Sequence, residues 1–202
     1  RGQAKSPSAR SAYEHGQEAL RKGDLVSARN DLEEAVRRAP GNAQFRESLG
    51  WVLLQQGDLD SAFSHFRAAL GIKPDFLAAR LNLAGVLAQK GNLAEAEREV
   101  RTAVKTAPSE AEAHRMLGRI LSQQNSKPEA TSELRRAVEL DPQRGDLHND
   151  LGSVLAQQGQ FADAAAEFNE ALRLQPNLAS AHLHPGVIRS EEHQLDDATN
   201  EL

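Results

Sequence analysis

The sequence predicts an all-α fold in which pairs of antiparallel helices repeat every 34 residues, the arrangement of an α-solenoid. Five prolines recur at this single interval: Pro40, Pro74, Pro108, Pro142 and Pro176. Two columns of alanine keep the same period, with Ala28, Ala62, Ala96, Ala130 and Ala164 in the first and Ala35, Ala69, Ala103, Ala137 and Ala171 in the second. A fixed period of about 20 to 50 residues is typical of repeats that bury their apolar faces by stacking.

The first helix of each unit is marked by small residues at the repeat period, namely Gly16, Gly50, Ala84, Gly118, Gly152 and Gly186. A leucine precedes four of them, at Leu49, Leu83, Leu117 and Leu151. Around these columns the apolar residues follow helical spacing, which predicts a buried face on both helices. Because small residues allow a close approach, we expect the small columns of the two helices to face each other and the leucines to fill the space they leave.

A short polar segment separates the two helices of each unit. Glycine, expected in the left-handed conformation, ends the first helix at Gly23, Gly57, Gly91 and Gly159, and Asn125 replaces it in the fourth unit. Asp or Asn then caps the second helix. Ser126 and Glu129 are spaced as a capping box, with Pro128 in the first turn. The periodic proline ends the second helix, because the residue before a proline is pushed out of the α region.

With these positions in place, the sequence resembles the tetratricopeptide repeat family, whose unit of this length has a small residue in the first helix, two alanines in the second and a closing proline. The resemblance divides the chain into a disordered or linker segment 1–8 and a solenoid 9–202, with units 9–42, 43–76, 77–110, 111–144, 145–178 and a partial 179–202. It implies a right-handed solenoid with a concave groove, lined by the first helices, that binds partners.

The resemblance is weakest at the two ends of the chain. His15 and Pro185 stand where the leucine column would continue. A proline inside a helix costs about 3 kcal/mol of stability. We therefore expect the first helix of the partial unit 179–202 to be kinked or to begin late, near His184 and Pro185. Because Arg1 is not an initiating methionine and Leu202 falls inside a helix of the partial unit, we also expect the sequence to be part of a longer protein.

Composition and charge exclude several classes of function. There are no cysteines, hence no disulfide, thiolate zinc site or cysteine nucleophile. No apolar run or signal-like segment predicts membrane insertion, and the compartment stays open between the cytoplasm and export with a signal removed. Residues 1–144 hold 22 Lys and Arg against 19 Asp and Glu, a balance of +3, whereas residues 145–202 hold 2 against 10, a balance of −8. This asymmetry either favours a basic partner or head-to-tail self-association, or reflects an acidic solvated face without a partner; nucleic acid is not expected.

The histidines are the first candidates for chemistry, but their spacing argues against it. His114, His148 and His182 share the repeat period, so they occupy equivalent places on successive first helices, on the order of 10–20 Å apart. Zinc ligands lie about 2 Å from the metal, which excludes a shared ion and predicts a packing role. No nucleophile, base and orienting acid recur together, and no glycine-rich phosphate loop occurs. The sequence predicts no enzyme, metal site or cofactor.

The candidate groove residues are those on the first helices that packing does not explain. Trp51, the only tryptophan, lies off the face that carries Phe45, Leu49 and Leu53, so we expect an exposed aromatic anchor. The alternative is that Trp51 covers a neighbouring helix. The other candidates are Tyr13, Gln17, Glu47, Gln55, Leu81, Asn82, Gln89, Arg115, Arg119 and Asn149.

Two subsets of these residues suggest how a ligand is held. Arg115 and Arg119 are four residues apart on one helix, so both can face one carboxylate or phosphate. Gln55 and Gln89 belong to a periodic glutamine column, which either hydrogen-bonds an extended peptide or is simply solvated at the helix end.

Two functions are compatible with these observations. The leading one is a non-catalytic scaffold for protein–protein interaction that binds a peptide or protein segment in the groove. The alternative is a structural role, in which the solenoid ends stack on one another into an oligomer or filament.

Overall fold

The computed structural model describes residues 8–177, which contain ten α-helices and no strand. The helices are α1 (Ala9–Arg21), α2 (Leu25–Arg38), α3 (Ala43–Gln55), α4 (Leu59–Ile72), α5 (Leu77–Gln89), α6 (Leu93–Thr106), α7 (Ala111–Gln123), α8 (Lys127–Leu140), α9 (Gly145–Ala156) and α10 (Phe161–Leu174). Pro185, His182 and the partial unit 179–202 lie outside the described residues, and so do the expectations that concern them.

The chain divides into two compact units, the first ending at Glu99 and the second beginning at Val100. Within the first, α1 packs on α2 and α3 on α4, while α2 also contacts α3 and α4 contacts α5. Within the second, α7 packs on α8 and α9 on α10, and α8 contacts α9. In these helices, paired helices therefore pack on each other and the second helix of a pair contacts the next first helix, which confirms the all-α fold of the α-solenoid class.

The helix boundaries follow from the turn residues. The glycines that end first helices have positive φ, from 75° at Gly23 to 80° at Gly57, and Asn125 adopts the same conformation at 63°. Asp24 and Asp58 cap the second helices by accepting from the backbone N–H of Ser27 and Ser61 at 3.0 and 3.1 Å. Each second helix ends two residues before its periodic proline, as at Arg38, Ile72, Thr106, Leu140 and Leu174.

The capping box predicted for α8 is wrong. Ser126 is the N-cap residue, but its side chain makes no capping hydrogen bond. Pro128 at the second position of the helix has no N–H, which removes one of the two backbone donors that an N-cap side chain can reach. Pro128 itself lies where it was predicted.

The core is built on the small residues. All ten alanines of the two columns are buried, with 0% exposure. A Cβ placed on Gly50 would lie 2.8 Å from Phe66, one on Gly118 would lie 2.6 Å from Leu134, and Gly16 and Gly152 stand against Leu32 and Phe168 in the same way. The side chains that fill the space beside the glycines thus come from the second helix. The expectation that the leucine column fills this space is wrong.

A further column of side chains ties each first helix to the end of the preceding unit. Arg46, Arg80, His114 and His148 each contact the carbonyl of the proline six residues earlier, at 2.5 to 3.1 Å. The last three also contact a carboxylate nineteen residues later, at Glu99, Glu133 and Glu167. His114 and His148 are buried, so the packing role predicted for them is confirmed and is joined to a polar one.

Overpacking the alanine column tests the assigned core faces. Replacing Ala96 or Ala130 by leucine should lower the free energy of unfolding by about 1–3 kcal/mol, because both side chains are fully buried and the helices must move apart. Chemical denaturation gives the free energy. Ala94→Leu, at an exposed position of the same helix as Ala96, is the matched control and should be neutral. Equal stability of the Ala96 and Ala130 variants and the parent would show that the packing faces are misassigned.

The arginine and histidine column predicts which substitutions at His114 are tolerated. His114→Arg should keep the stability of the parent, because Arg80 already holds a proline carbonyl and a glutamate from the equivalent position. His114→Leu removes both contacts and should cost about 1–2 kcal/mol. Thermal unfolding of the two variants side by side is the measurement. Equal losses for arginine and leucine would contradict the interpretation.

Candidate functional site

Three candidate residues of the first compact unit, which ends at Glu99, meet on the face shared by α1 and α3. A pocket of 330 Å³ opens there, lined by Gln17, Leu20, Arg21, Glu47, Ser48 and Trp51. Gln17, Glu47 and Trp51 were predicted as binding residues. Leu20, Arg21 and Ser48 were not.

Trp51 lies at the edge of this pocket with 38% of its surface exposed. Its exposure follows from its place in α3, because Leu49 and Leu53 on the opposite side of the helix are buried in the core. A large apolar ring that stays partly in water is available for contact with another molecule.

A chain of hydrogen bonds fixes the polar side of the pocket. Gln17 donates from Nε2 to Ser48 Oγ at 3.2 Å, and Ser48 donates from Oγ to Glu47 Oε2 at 3.4 Å. Asn82 of α5 donates from Nδ2 to Glu47 Oε1 at 2.9 Å. Three successive first helices, α1, α3 and α5, therefore orient one carboxylate.

The Glu47 carboxylate has an unusual electrostatic environment. Burial raises the pKa of Glu47, and the hydrogen bonds from Ser48 and Asn82 offset this only in part. Both donors are neutral, and Glu47 forms no ion pair within residues 8–177. Arg21, which also lines the pocket, is instead paired with Glu18 of its own helix, Nε to Oε2 at 2.9 Å.

In the second compact unit, which begins at Val100, the corresponding face of the first helices carries a network of paired charges. Arg115 donates from Nε to Asp150 Oδ2 at 2.6 Å and lies 2.8 Å from Asp146. Arg144 bonds both Asp146 and Glu112 at 2.7 Å. Three carboxylates on α7 and α9 thus have arginine partners.

Arg119 completes the arginine pair that the sequence singled out. Its Nε lies 4.0 Å from Asp150 Oδ2, so Arg115 and Arg119 do face one carboxylate, and that carboxylate belongs to the chain itself. The Arg119 side chain remains 57% exposed. It lines a smaller pocket of 170 Å³ together with Ser122, Gln123, Leu134, Asp150, Ser153, Val154 and Gln157.

The remaining predicted residues are dispersed. Tyr13 stacks on Phe45 with the ring centroids 4.6 Å apart, and its hydroxyl accepts a hydrogen bond from Gln44. Leu81 is partly buried, and Gln55 and Gln89 lie at the ends of α3 and α5. Asn149 is buried, and its Oδ1 has no hydrogen-bond partner among residues 8–177.

The residues that sequence reasoning missed have a signal in their spacing. Gln17 and Ser48 are 31 residues apart, whereas Glu47 and Asn82 are 35 apart. Arg115 and Asp150 repeat the separation of 35. These separations are the repeat period less three and plus one, so a search for complementary side chains at both offsets would have found Ser48 and Asp150.

The part of the chain that the structure describes contains neither a metal-binding cluster nor a membrane-crossing helix. Among residues 8–177, no group of three or more His, Cys, Asp and Glu side chains is placed to hold a metal ion. In the same stretch, no helix combines the length and the apolarity needed to cross a membrane.

The fold and the repeat match known proteins. One sequence model of the tetratricopeptide repeat matches residues 13–76 and 116–179, and a second matches residues 53–120. The chain belongs to the tetratricopeptide repeat family. No curated protein matches this tetratricopeptide repeat chain at a significant level.

Solved structures support the same fold. MamA (residues 41 to the end) from Desulfovibrio magneticus RS-1 is 23% identical, with a TM-score of 0.74 over 87% of this chain and 99% of that one. A thermophilic TPR protein of Thermus thermophilus is 18% identical, with a TM-score of 0.75 over 90% and 98%. YrrB, described as a TPR protein with an unusual peptide-binding site, is 21% identical, with a TM-score of 0.67 over 88% and 91%. At these identities the likeness extends to the fold alone.

The contrast between the paired and unpaired carboxylates can be measured. Glu47→Gln should raise the free energy of unfolding by a few tenths to about 1 kcal/mol, because it removes a half-buried charge and keeps an acceptor for Asn82. Asp150→Asn, the matched control in the second unit, should lower it by about 1–3 kcal/mol, because Arg115 loses the nearest of its charged partners.

The difference between Glu47→Gln and the parent should also depend on pH. A carboxyl group whose pKa is raised by folding destabilises the fold when it is ionised, so the advantage of glutamine is present at neutral pH. It should shrink as the pH falls through the pKa of Glu47. Urea unfolding at several pH values checks this, and a destabilised Glu47→Gln variant at pH 7 would contradict the assignment.

Proposed function

We propose that this tetratricopeptide repeat protein is a non-catalytic binding scaffold that holds a peptide or protein segment on the exposed face of its first helices, with Trp51 as the anchoring side chain. The observation that carries the proposal is the partly exposed Trp51 ring beside a pocket whose polar side is fixed by hydrogen bonds. Tryptophan is the residue type most enriched among side chains that dominate binding energy at interfaces.

The pocket favours an extended segment rather than a small molecule. Its 330 Å³ is near the lower limit for small-ligand pockets, which suits a single side chain. The polar groups around it come from three successive first helices, so a segment that follows this face meets new donors and acceptors at each helix. Family membership supports the same function, and so does the peptide-binding site named for the structurally similar YrrB.

The predicted groove residues have different roles in this proposal. Gln17, Glu47, Asn82 and Trp51 form the central contact, and Tyr13, Gln55, Leu81 and Gln89 extend the same face of the first unit. Arg115, Arg119 and Asn149 belong to a separate contact in the second unit. End-to-end self-assembly, the alternative, rests on the charge asymmetry of the sequence and stays a prediction.

Replacing Trp51 by alanine tests the proposal. Peptides are first selected from a random 12-residue display library on the parent protein, and their affinities are measured by fluorescence anisotropy. Trp51→Ala should weaken the selected peptides by about tenfold or more while the circular dichroism and the melting temperature stay close to those of the parent.

The matched control is Ile72→Ala, which removes another exposed apolar side chain, at the end of α4 and away from the pocket. It should bind the selected peptides like the parent. Affinities that are unchanged in Trp51→Ala, or a loss of about 3–5 kcal/mol in stability typical of a buried tryptophan, would rule out the anchor.

A further inference from the structure

We infer that the pocket beside Trp51 recognises a basic side chain of the partner, preferably arginine, whose cationic head lies between the Trp51 ring and the Glu47 carboxylate. This inference rests on the proposed function and specifies the chemistry of the segment that is bound. Four observations support it: the unpaired carboxylate, the neighbouring aromatic ring, the shape of the pocket, and the exposure of the one competing cation among the lining residues.

The first observation is the contrast between Glu47 and the other carboxylates on the first helices. In the second unit Glu112, Asp146 and Asp150 all lie against arginines, at 2.6 to 2.7 Å from the nearest guanidinium nitrogen. In the first unit Glu14 and Glu18 pair with arginines of α1. Glu47, though more buried than these two, has only neutral donors.

An unpaired carboxylate in a partly buried place costs free energy, because burial removes water without supplying an opposite charge. The raised pKa of Glu47 has the same cause, because burial favours the neutral, protonated form of the carboxyl group. A cation from a partner would recover part of this cost on binding. The site is thus prepared for a positive charge that the residues around it do not supply.

The second observation is the position of Trp51 relative to Glu47. The two residues are four apart in α3, so their side chains lie on the same face of the helix, one turn apart. Tryptophan has the aromatic face that attracts cations most strongly, and arginine is the more frequent partner. A guanidinium stacked on the ring can therefore reach the carboxylate one turn away.

The third observation is the geometry of the pocket. A carboxylate has about four acceptor sites, and Ser48 and Asn82 occupy one on each oxygen, which leaves one on each for a bidentate guanidinium. Leu20 supplies an apolar wall for the methylene stem, and Gln17 closes the polar side. A compact ammonium would use fewer of these contacts, which is why arginine is preferred over lysine.

The fourth observation concerns Arg21, the lining residue whose charge opposes this inference. Arg21 is paired with Glu18, a carboxylate that Lys22 also contacts at 3.3 Å, and its side chain is 71% exposed, so water and salt screen its repulsion. The less exposed Glu47 is screened less and determines which charge the pocket prefers.

The test uses the fact that Trp51 is the only tryptophan, so protein fluorescence reports directly on this pocket. The probes are three capped pentapeptides, acetyl-Ala-Ala-X-Ala-Ala-amide, with arginine, leucine or glutamate at X. Each is titrated into the full chain up to millimolar concentrations. The arginine peptide should give a saturable change in emission at a concentration at least about fivefold lower than the leucine peptide requires.

Glu47→Gln should weaken the arginine peptide by about five- to tenfold and leave the leucine peptide unchanged. The matched control is Glu14→Gln, which neutralises an exposed carboxylate of α1 outside the pocket and should bind like the parent. Added salt should weaken the arginine peptide in the parent more than in Glu47→Gln.

Three outcomes would overturn the inference: no response to the arginine peptide, equal responses to arginine and leucine, or an unchanged arginine affinity in Glu47→Gln. A preference for the glutamate peptide would assign the pocket to Arg21 and overturn it as well. The library selection separates this failure from that of the proposed function. Selected peptides that depend on Trp51 but lack basic residues would keep the scaffold and remove the cation site.

Discussion

The close approach of the two helices in each pair is the constraint on which the rest of the structure depends. It exists because Gly50 leaves room for the Phe66 ring and Gly152 leaves room for the Phe168 ring. A Cβ atom on either glycine would lie only 2.8 or 2.9 Å from the facing ring. A pair locked in this way turns the opposite side of its first helix outward. Side chains such as Trp51 are exposed because the core on the other side is complete without them.

Much of this arrangement could be predicted from the sequence, because the interactions that repeat are visible in a single chain. The alanine columns, the glycine turns and the proline stops follow from sterics that act on one or two residues at a time. The predicted capping box failed because it depended on whether the Ser126 side chain reaches an amide that the aspartates reach in other units. The source of the bulk against Gly50 was missed because both the leucine column and Phe66 keep the period.

The candidate site was harder to predict because its members differ from unit to unit. Trp51 was identified by its uniqueness, and Glu47 by its place on the helix. That Glu47 lacks a cation while Asp150 has Arg115 depends on how side chains of neighbouring helices meet, which composition does not reveal. The same packing thus carries a neutralised charge network in one unit and an uncompensated carboxylate in the other.

The separations of 31 and 35 residues between bonded side chains of successive first helices also bear on how such a chain evolves. Duplication of one whole repeat copies both members of every contact in register. The gain or loss of one residue inside a helix rotates the following residues by about 100° around the helix axis. Every later residue of that helix then loses its side-chain partner on the neighbouring helix. Within the helices, new specificity therefore arises by exchange of side chains at fixed positions, and lengthening that keeps these contacts adds whole repeats or falls in the loops.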